Sequence, residues 1–232
     1  MVDRSMMDPS MNNAPPTGGA SSSPLTRTQE TLMTAPLILD PQTTAFLFMD
    51  FQNGIMARLG DRSTVVSARA ASVLEAARAA GAGVVFVRVA FRAGYPELGD
   101  HHPMAAIKAA GGFLLDAPET QIAAALAPHP TEPVVVKHRV GPFLGTDLAP
   151  ILSARRTATL VLLGVSTSGV VLSTVRHAAD VDYRILVVED GCADPDPEVH
   201  RVLMEKVFPR QATVTTCEAV VASLGKEGAR SA

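Results

Sequence analysis

The sequence predicts an α/β protein: a three-layer, doubly wound and mostly parallel sheet of about six strands, with helices on both faces. Three observations predict it. Short β-branched apolar runs alternate with longer, helix-spaced segments across residues 36–225. The best of these runs, GVVFVRVAF, is apolar almost throughout, as a strand covered on both faces must be. Stop and start signals such as Gly81 and Pro118 sit at the junctions.

The elements follow in order. Thr43–Asp50 is an apolar run that ends in a carboxylate. Ser63–Ala80 is Ala-rich with apolar residues at helical spacing, and Gly81 stops it. Gly83–Phe91 is a buried strand, and Arg92 to Pro118 reads as a Gly-, Pro- and His-rich loop. Pro118–Ala127 begins with proline at the first helical position and is expected to be a helix. Pro133–His138 is a strand closing on lysine, and Gly145–Ala154 a short helix with Thr146 as its expected N-cap. Thr157–Gly164 is a strand, and Ser168–Ala179 a helix capped by Ser168. Arg184–Asp190 is a strand, Asp196–Phe208 a helix, Ala212–Thr216 a weak strand and Glu218–Leu224 a closing helix.

Composition narrows the rest. A chain of 232 residues with 47% hydrophobic residues supports one sizeable core. With net charge −3 and no basic patch, nucleic acid and anionic membranes are not expected partners. No run approaches the ~18 apolar residues of a membrane span. The two cysteines, Cys192 and Cys217, give neither a disulfide framework nor metal spacing, which fits a reducing cytoplasm. Residues 1–35 are rich in Met, Pro, Ser, Gly and Asn without apolar periodicity. They read as a disordered extension without the apolar run of a secretory signal. Residues 226–232 read as a flexible tail, which leaves 36–225 as the folded domain.

Ligands in such sheets bind beyond the carboxyl ends of the strands. The residues there are Asp50, Arg88 to Arg92, Lys137, Ser166 to Val170, and Glu189 to Cys192. Asp50 is either a buried hydrogen-bonding anchor or a reactive acid. Lys137 ends a buried strand, where an unpaired ammonium is costly, so a carboxylate such as Asp50 is its natural partner. The pair is either a structural ion pair or a proton-transfer pair.

Three stretches, MDFQNG, KHRVGPFLGTDL and LLGVSTSGVVLSTVRHA, arrive in this order on these elements. Together they resemble the isochorismatase-like hydrolase superfamily, the cysteine hydrolases, over Pro36 to Leu224. The resemblance implies a Rossmann-like hydrolase that acts on a small molecule without a cofactor and assembles as a homo-oligomer, a dimer or tetramer. It implies that the family's catalytic aspartate and lysine fall on Asp50 and Lys137. The family's cysteine, in the pattern G-x-x-T-x-x-C, falls on Val170, where this chain departs from it. The oxyanion-binding backbone positions fall on Ser166 and Val170, and a cis peptide on Val165–Ser166. Valine cannot form the thioester of an amidase. Family members that lack the cysteine cleave a vinyl ether by acid–base chemistry, for which a carboxyl group suffices.

The expected function is therefore hydrolysis of a vinyl ether, ester or related bond through Asp50 and Lys137. The alternatives are an inactive small-molecule-binding member of the family, or an amidase-type hydrolase with a substitute nucleophile such as Ser166, Ser168 or Cys192. Phe51, Arg92, Phe143, Ser168 and Gly169 are the expected substrate contacts, with Tyr95 as a further wall and Arg88 and Arg139 as further carboxylate receivers. With few aromatics the pocket should be aliphatic and modest. His101 and His102 are adjacent and read as solvated loop residues, so no metal is expected.

Overall fold

The computed structural model describes residues 37–225, and the expected extension over 1–35 and tail over 226–232 lie outside the described residues. Six strands form one sheet: β1 (Thr44–Met49), β2 (Gly83–Val89), β3 (Val134–Lys137), β4 (Thr159–Val165), β5 (Arg184–Ala193) and β6 (Thr213–Thr215). Their spatial order is β3-β2-β1-β4-β5-β6, and every pairing is parallel. The chain order reverses between β1 and β4, and a crevice at such a point is where open α/β sheets bind ligands.

A short helix α1 (Asn53–Met56) follows β1. Residues of β1 alternate between two cores, one on each face of the sheet. Phe46 and Phe48 of β1 face one side, where they meet Val66, Ala70, Val73 and Leu74 of helix α2 (Arg62–Ala79) and Val220 of helix α7 (Cys217–Gly225). Ala45, Leu47 and Met49 face the other, against Leu148 and Leu152 of helix α4 (Leu148–Ala154) and Val175 and Ala178 of helix α5 (Leu172–Asp180). Two-sided burial explains the unbroken apolar reading of β1, in which all six residues are buried. Each fully buried Phe or Leu contributes about 1.5–3 kcal/mol relative to exposure. Among the described residues no helix is long and apolar enough to cross a membrane.

Local signals account for the ends. Helix α2 stops in a Schellman turn: Ala82 N–H donates to Ala77 O and Gly81 N–H to Arg78 O, with Gly81 at φ +69. Helix α6 (Pro197–Val202) begins at Asp196, whose carboxylate accepts the Glu198 and Val199 N–H groups. A π turn (Leu203–Val207) and a 3-10 turn (Phe208–Arg210) continue it, where one regular helix was expected.

Four further expectations are corrected. Pro118–Ala127 is not a helix but two 3-10 turns, Pro118–Thr120 and Ala124–Leu126, about an extended Gln121. The loop after β1 claims its backbone instead: Asn53 N–H donates to Gln121 O and Ala123 N–H to Phe51 O. A segment so short has little intrinsic helicity to set against those bonds. Within the expected loop, Ala105–Ala110 forms helix α3, where six good helix formers lie between turns. Thr146 precedes the cap residue Asp147, although its hydroxyl still accepts the Leu148 N–H at 3.2 Å. Ser168 does not cap α5. The helix is entered through a π turn, Thr167–Val171, that starts after Ser166.

Gly164 joins the two strands at the reversal. A Cβ there would lie 2.9 Å from Met49 O, 3.1 Å from Met49 Cβ and 3.2 Å from Val171 Cγ2. Gly164→Ala is expected to lower stability by about 1–3 kcal/mol. Urea unfolding measures this, and an unchanged midpoint would show that β1 and β4 separate without cost.

Candidate active site

Asp50 follows the last residue of β1, and its backbone takes a left-handed turn at φ +59. Its N–H still donates to Val87 O at 2.8 Å, so the ladder carries one residue past the strand before the chain turns. Few side chains tolerate this conformation, and aspartate is among the enriched ones. Lys137 is the last residue of β3 and pairs in register with Val89 of β2. Strand β2 lies between β1 and β3, which sets their backbones about 9–10 Å apart. The long lysine stem crosses over the end of β2 and brings Nζ to 2.9 Å from Asp50 Oδ2. Nζ also donates to Arg139 O at 3.1 Å.

Both groups are withdrawn from water, Asp50 at 4% exposure and Lys137 at 2%. Burial holds the Asp50 carboxyl above the ordinary carboxylate range, against the opposing pull of the Lys137 ammonium. The second oxygen, Oδ1, is buried and has no hydrogen-bond partner.

Asp50 and Lys137 line a cavity of about 210 Å³ together with Ser166, Gly169 and Val170 from the end of β4. Its remaining walls include Ile55, Val89, Met104, Ile107, Phe113 and Val140, with Arg58 beside Phe113. Val89 and Phe113 belong to a third small core, with Phe91, Tyr95 and Leu98, that Ile55, Met104 and Ile107 join. Val170 is 2% exposed, and its carbonyl accepts the Thr174 hydroxyl at 2.6 Å. The Val165–Ser166 peptide is cis.

The turn at the end of β4 is braced from behind. Ser168 N–H donates to Asp194 Oδ2 at 2.8 Å, and the Thr167 hydroxyl bonds to His200 Nδ1 at 2.8 Å. Arg62 in turn donates to the carbonyls of Asp194 and Pro195. Gln52 fixes the other side. Its amide N–H groups donate to Val89 O and Thr120 O, and its Oε1 accepts the Val89 N–H. A saturated buried amide of this kind ties the 118–123 segment to the sheet.

Several expected contacts lie elsewhere. Phe51 is 1% exposed and sits in the core against Phe48, because it follows Asp50 on the opposite side of the backbone. Phe143 stacks on His177 with ring centroids 4.3 Å apart. Arg92 pairs with Glu97, and Ser168 points its N–H at Asp194; neither lines the cavity. Tyr95 supports the third core through a bond from its hydroxyl to Gly112 O. Arg88 donates to Leu115 O, and Arg139 to Glu97 O and His138 O.

His102 accepts the Met104 N–H and His101 is exposed. Among the described residues no group of three or more His, Cys, Asp or Glu converges on a metal position. Cys192 is buried, its S–H faces Leu162 O, and burial pushes the thiol up to about 12, so it is protonated at neutral pH. A larger open groove of about 500 Å³ lies behind the turn, lined by Arg62, Arg69, Glu189, Cys192 and His200, but it contains neither Asp50 nor Lys137. Arg58 and the walls Met104 and Ile107 were not singled out from the sequence. The loops that carry them have no periodicity to show which side chains turn inward.

The sequence profile of the Isochorismatase domain matches residues 44–219. The isochorismatase family protein YecD of Escherichia coli O157:H7 is 33% identical over 192 residues, covering 81% of this chain and all of that protein. The ureidoacrylate amidohydrolase RutB of Methylobacterium radiotolerans is 31% identical over 217 residues, covering 82% of this chain and 83% of that one. The solved structure of an isochorismatase family protein from Burkholderia thailandensis superposes with a TM-score of 0.72 at 29% identity, covering 82% of this chain and 100% of that chain.

Removing one partner of a buried ion pair strands the other charge, at a cost of about 3–5 kcal/mol. Asp50→Asn and Lys137→Met are each expected to lower stability by that order while remaining folded. The double variant should lose clearly less than the two losses added together. Denaturant unfolding of all four proteins closes the cycle, and strictly additive losses would show that the two side chains do not act on each other.

Proposed function

We propose that this chain, which belongs to the isochorismatase family of hydrolases, cleaves a bond in a small molecule by acid–base chemistry through Asp50 and Lys137, without a cysteinyl intermediate. The observation that carries the reading is the buried Asp50–Lys137 pair on the wall of a cavity whose nucleophile position, by the family pattern, is held by Val170. Lys137 occupies Oδ2, which leaves Oδ1 as the oxygen that can carry a transferable proton. Burial raises the Asp50 pKa, which brings the acid closer to the working range of a proton donor at neutral pH.

For a vinyl ether the steps balance as follows. Protonated Asp50 gives its proton to the enol-ether carbon, and the oxocarbenium ion formed takes up water. The water's proton returns to the Asp50 carboxylate, and the hemiketal collapses to a carbonyl compound and an alcohol. One water is consumed, one C–O bond breaks, and the acid ends in its starting form. Lys137 orients the carboxyl group and stabilises its anionic form between the two transfers. In this reading the Ser166 and Val170 N–H groups steady a carbonyl oxygen of the substrate.

The name of the RutB relative favours a second reading, an amidohydrolase with a substitute nucleophile. Against it, Val170 offers no nucleophile, and the Cys192 thiol is buried and protonated outside the cavity. A member of the family that only binds its ligand is the third reading.

Asp50→Asn should reduce turnover on a vinyl ether or activated ester by on the order of 10²-fold or more. Full retention of activity would sink the mechanism. Val170→Cys should bring out amidase activity on small primary amides. If the wild type is silent on ethers, esters and lactones, and this variant on amides, the binding-only reading is favoured instead. The rate should fall as pH rises through the raised Asp50 pKa, because only the protonated acid begins the cycle. Lys137→Met removes the attraction that lowers that pKa, so the falling limb in the residual kcat/KM profile should move to higher pH. A limb that stays or moves down would show that another group sets it.

A further inference from the structure

The turn that ends β4 separates two openings. Ser166, Gly169 and Val170 line the cavity, and Pro195 lines it with them. The groove of about 500 Å³ is lined by Cys192, Ala193, Asp194 and His200, and by Arg62 and Val65 of α2. The wall between the two is therefore the Ser166–Val170 turn and the bend that follows β5. Bonds made on the groove side hold both. The buried Asp194 carboxylate takes the Ser168 N–H at 2.8 Å and the Asp196 N–H at 3.2 Å. Arg62 holds the Asp194 and Pro195 carbonyls. The other side-chain tie on the turn joins the Thr167 hydroxyl to His200 Nδ1 at 2.8 Å.

That tie has a direction. Thr167 is fully buried, and among the described residues its hydroxyl has no polar partner besides His200 Nδ1. A buried hydroxyl proton without an acceptor is costly, so the hydroxyl donates and Nδ1 accepts. The ring is then neutral, with its proton on Nε2. A second proton turns Nδ1 into a donor, and the Thr167 proton loses its acceptor unless the turn moves. The charged groups around the ring are Glu189 and Asp190 of β5, Asp194 of the bend, and Arg62 and Arg69 of α2. Asp190 is paired with Arg69 at 3.0 Å, and Glu198, Arg201 and Glu205 on the histidine's own helix and its continuation pair among themselves. The β4 turn contributes no titratable group. Burial holds the His200 pKa below the ordinary imidazole value, while Glu189 and Asp194 pull it up and Arg62 pushes it down. The accepting form of the ring thus persists to lower pH than in a solvated histidine.

We propose that His200 is a positioning residue for the reaction: with Nδ1 accepting, it fixes Thr167 and the Ser166–Val170 backbone that lines the cavity with Asp50, and a proton taken up from the groove releases that backbone. The kinetic consequence rests on the functional reading above. Asp50 begins the cycle protonated, so it sets only the alkaline limb of the rate profile, and an acid limb has to come from another group. His200 lines the groove and not the cavity, and supplies that limb without touching the substrate.

Two readouts on the full-length protein test this. The first is an NMR titration of the His200 ring and of the Ser168, Gly169 and Val170 amide signals, with no substrate present. The three amides should shift with the midpoint of the ring, below the ordinary histidine value of about 6.5. His200→Asn, whose side-chain oxygen takes the place of Nδ1 and binds no proton in this range, should abolish the shift. In Thr167→Val the ring should titrate at higher pH, since nothing then opposes a proton on Nδ1. The second readout is turnover of a neutral ester or vinyl ether, with the uncatalysed rate subtracted. In the wild type kcat should fall about fivefold from the midpoint of the ring to one pH unit below it, with KM changed less. His200→Leu should lower kcat by about tenfold, and His200→Asn should restore most of it without the acid limb. Turn amides that do not follow the ring, a ring that titrates at or above the ordinary histidine value, or an acid limb that survives in His200→Asn overturns the proposal. The amide titration involves no chemistry, so its failure strikes His200 alone and leaves Asp50 to be judged by its own kinetics.

Discussion

Two opposite charges taken out of water at the strand ends set the terms for everything around them. An isolated carboxylate or ammonium in that position would cost several kcal/mol, and the cost is offset only while Asp50 and Lys137 face each other at close range. That requirement accounts for the reach of a long side chain over β2 and fits the left-handed turn of a non-glycine residue after β1. Hydrophobic burial in the two cores supplies the stability from which such an arrangement can be maintained. The offset is incomplete for Asp50, whose pKa burial still raises against the pull of the Lys137 ammonium, the shift on which the proposed role of proton donor draws.

The surroundings are built to hold this pair still. Gln52 satisfies three backbone groups with one amide, and Asp194 and His200 hold the β4 turn from the groove side. None of these three residues lines the cavity, yet each fixes a backbone segment that does or that adjoins it. Cavity residues placed in this manner are held by hydrogen bonds that do not depend on the ligand, which is what preorganisation requires.

The sheet was legible in the sequence because strands buried on both faces must be apolar throughout, and because helix stops such as Gly81 carry a conformational demand that few other residues meet. The positions of Asp50, Lys137, Ser166, Gly169 and Val170 around one cavity follow from the same logic, since strand ends on one edge of a parallel sheet lie together. Phe51 and Phe143 were not legible in this way. Whether an aromatic beside a strand end faces the cavity or the core depends on a single backbone dihedral or on one stacking partner, here the turn at Asp50 and the ring of His177. The 118–127 segment misled because its proline and alanines favour a helix locally, while bonds from the loop after β1 decide the outcome from a distance. Arg58 went unseen for a related reason: only the burial of Met56 and Leu59 determines which way its turn points.

The floor and the roof of the cavity come from different kinds of structure. The residues proposed for proton transfer stand at strand ends, Lys137 as the last residue of β3 and Asp50 just past β1, whereas Met104, Ile107, Phe113 and Arg58 stand on connections between strands. Gln52 is a joint between the sheet and the connections, tying the 118–123 segment that follows Phe113 to Val89 of β2 through one neutral side chain. Natural variation or laboratory exchange could therefore replace the roof wholesale and redirect the scaffold to new molecules, provided that the joint is kept. Chemistry and molecular recognition would then be inherited as separate modules of a single fold.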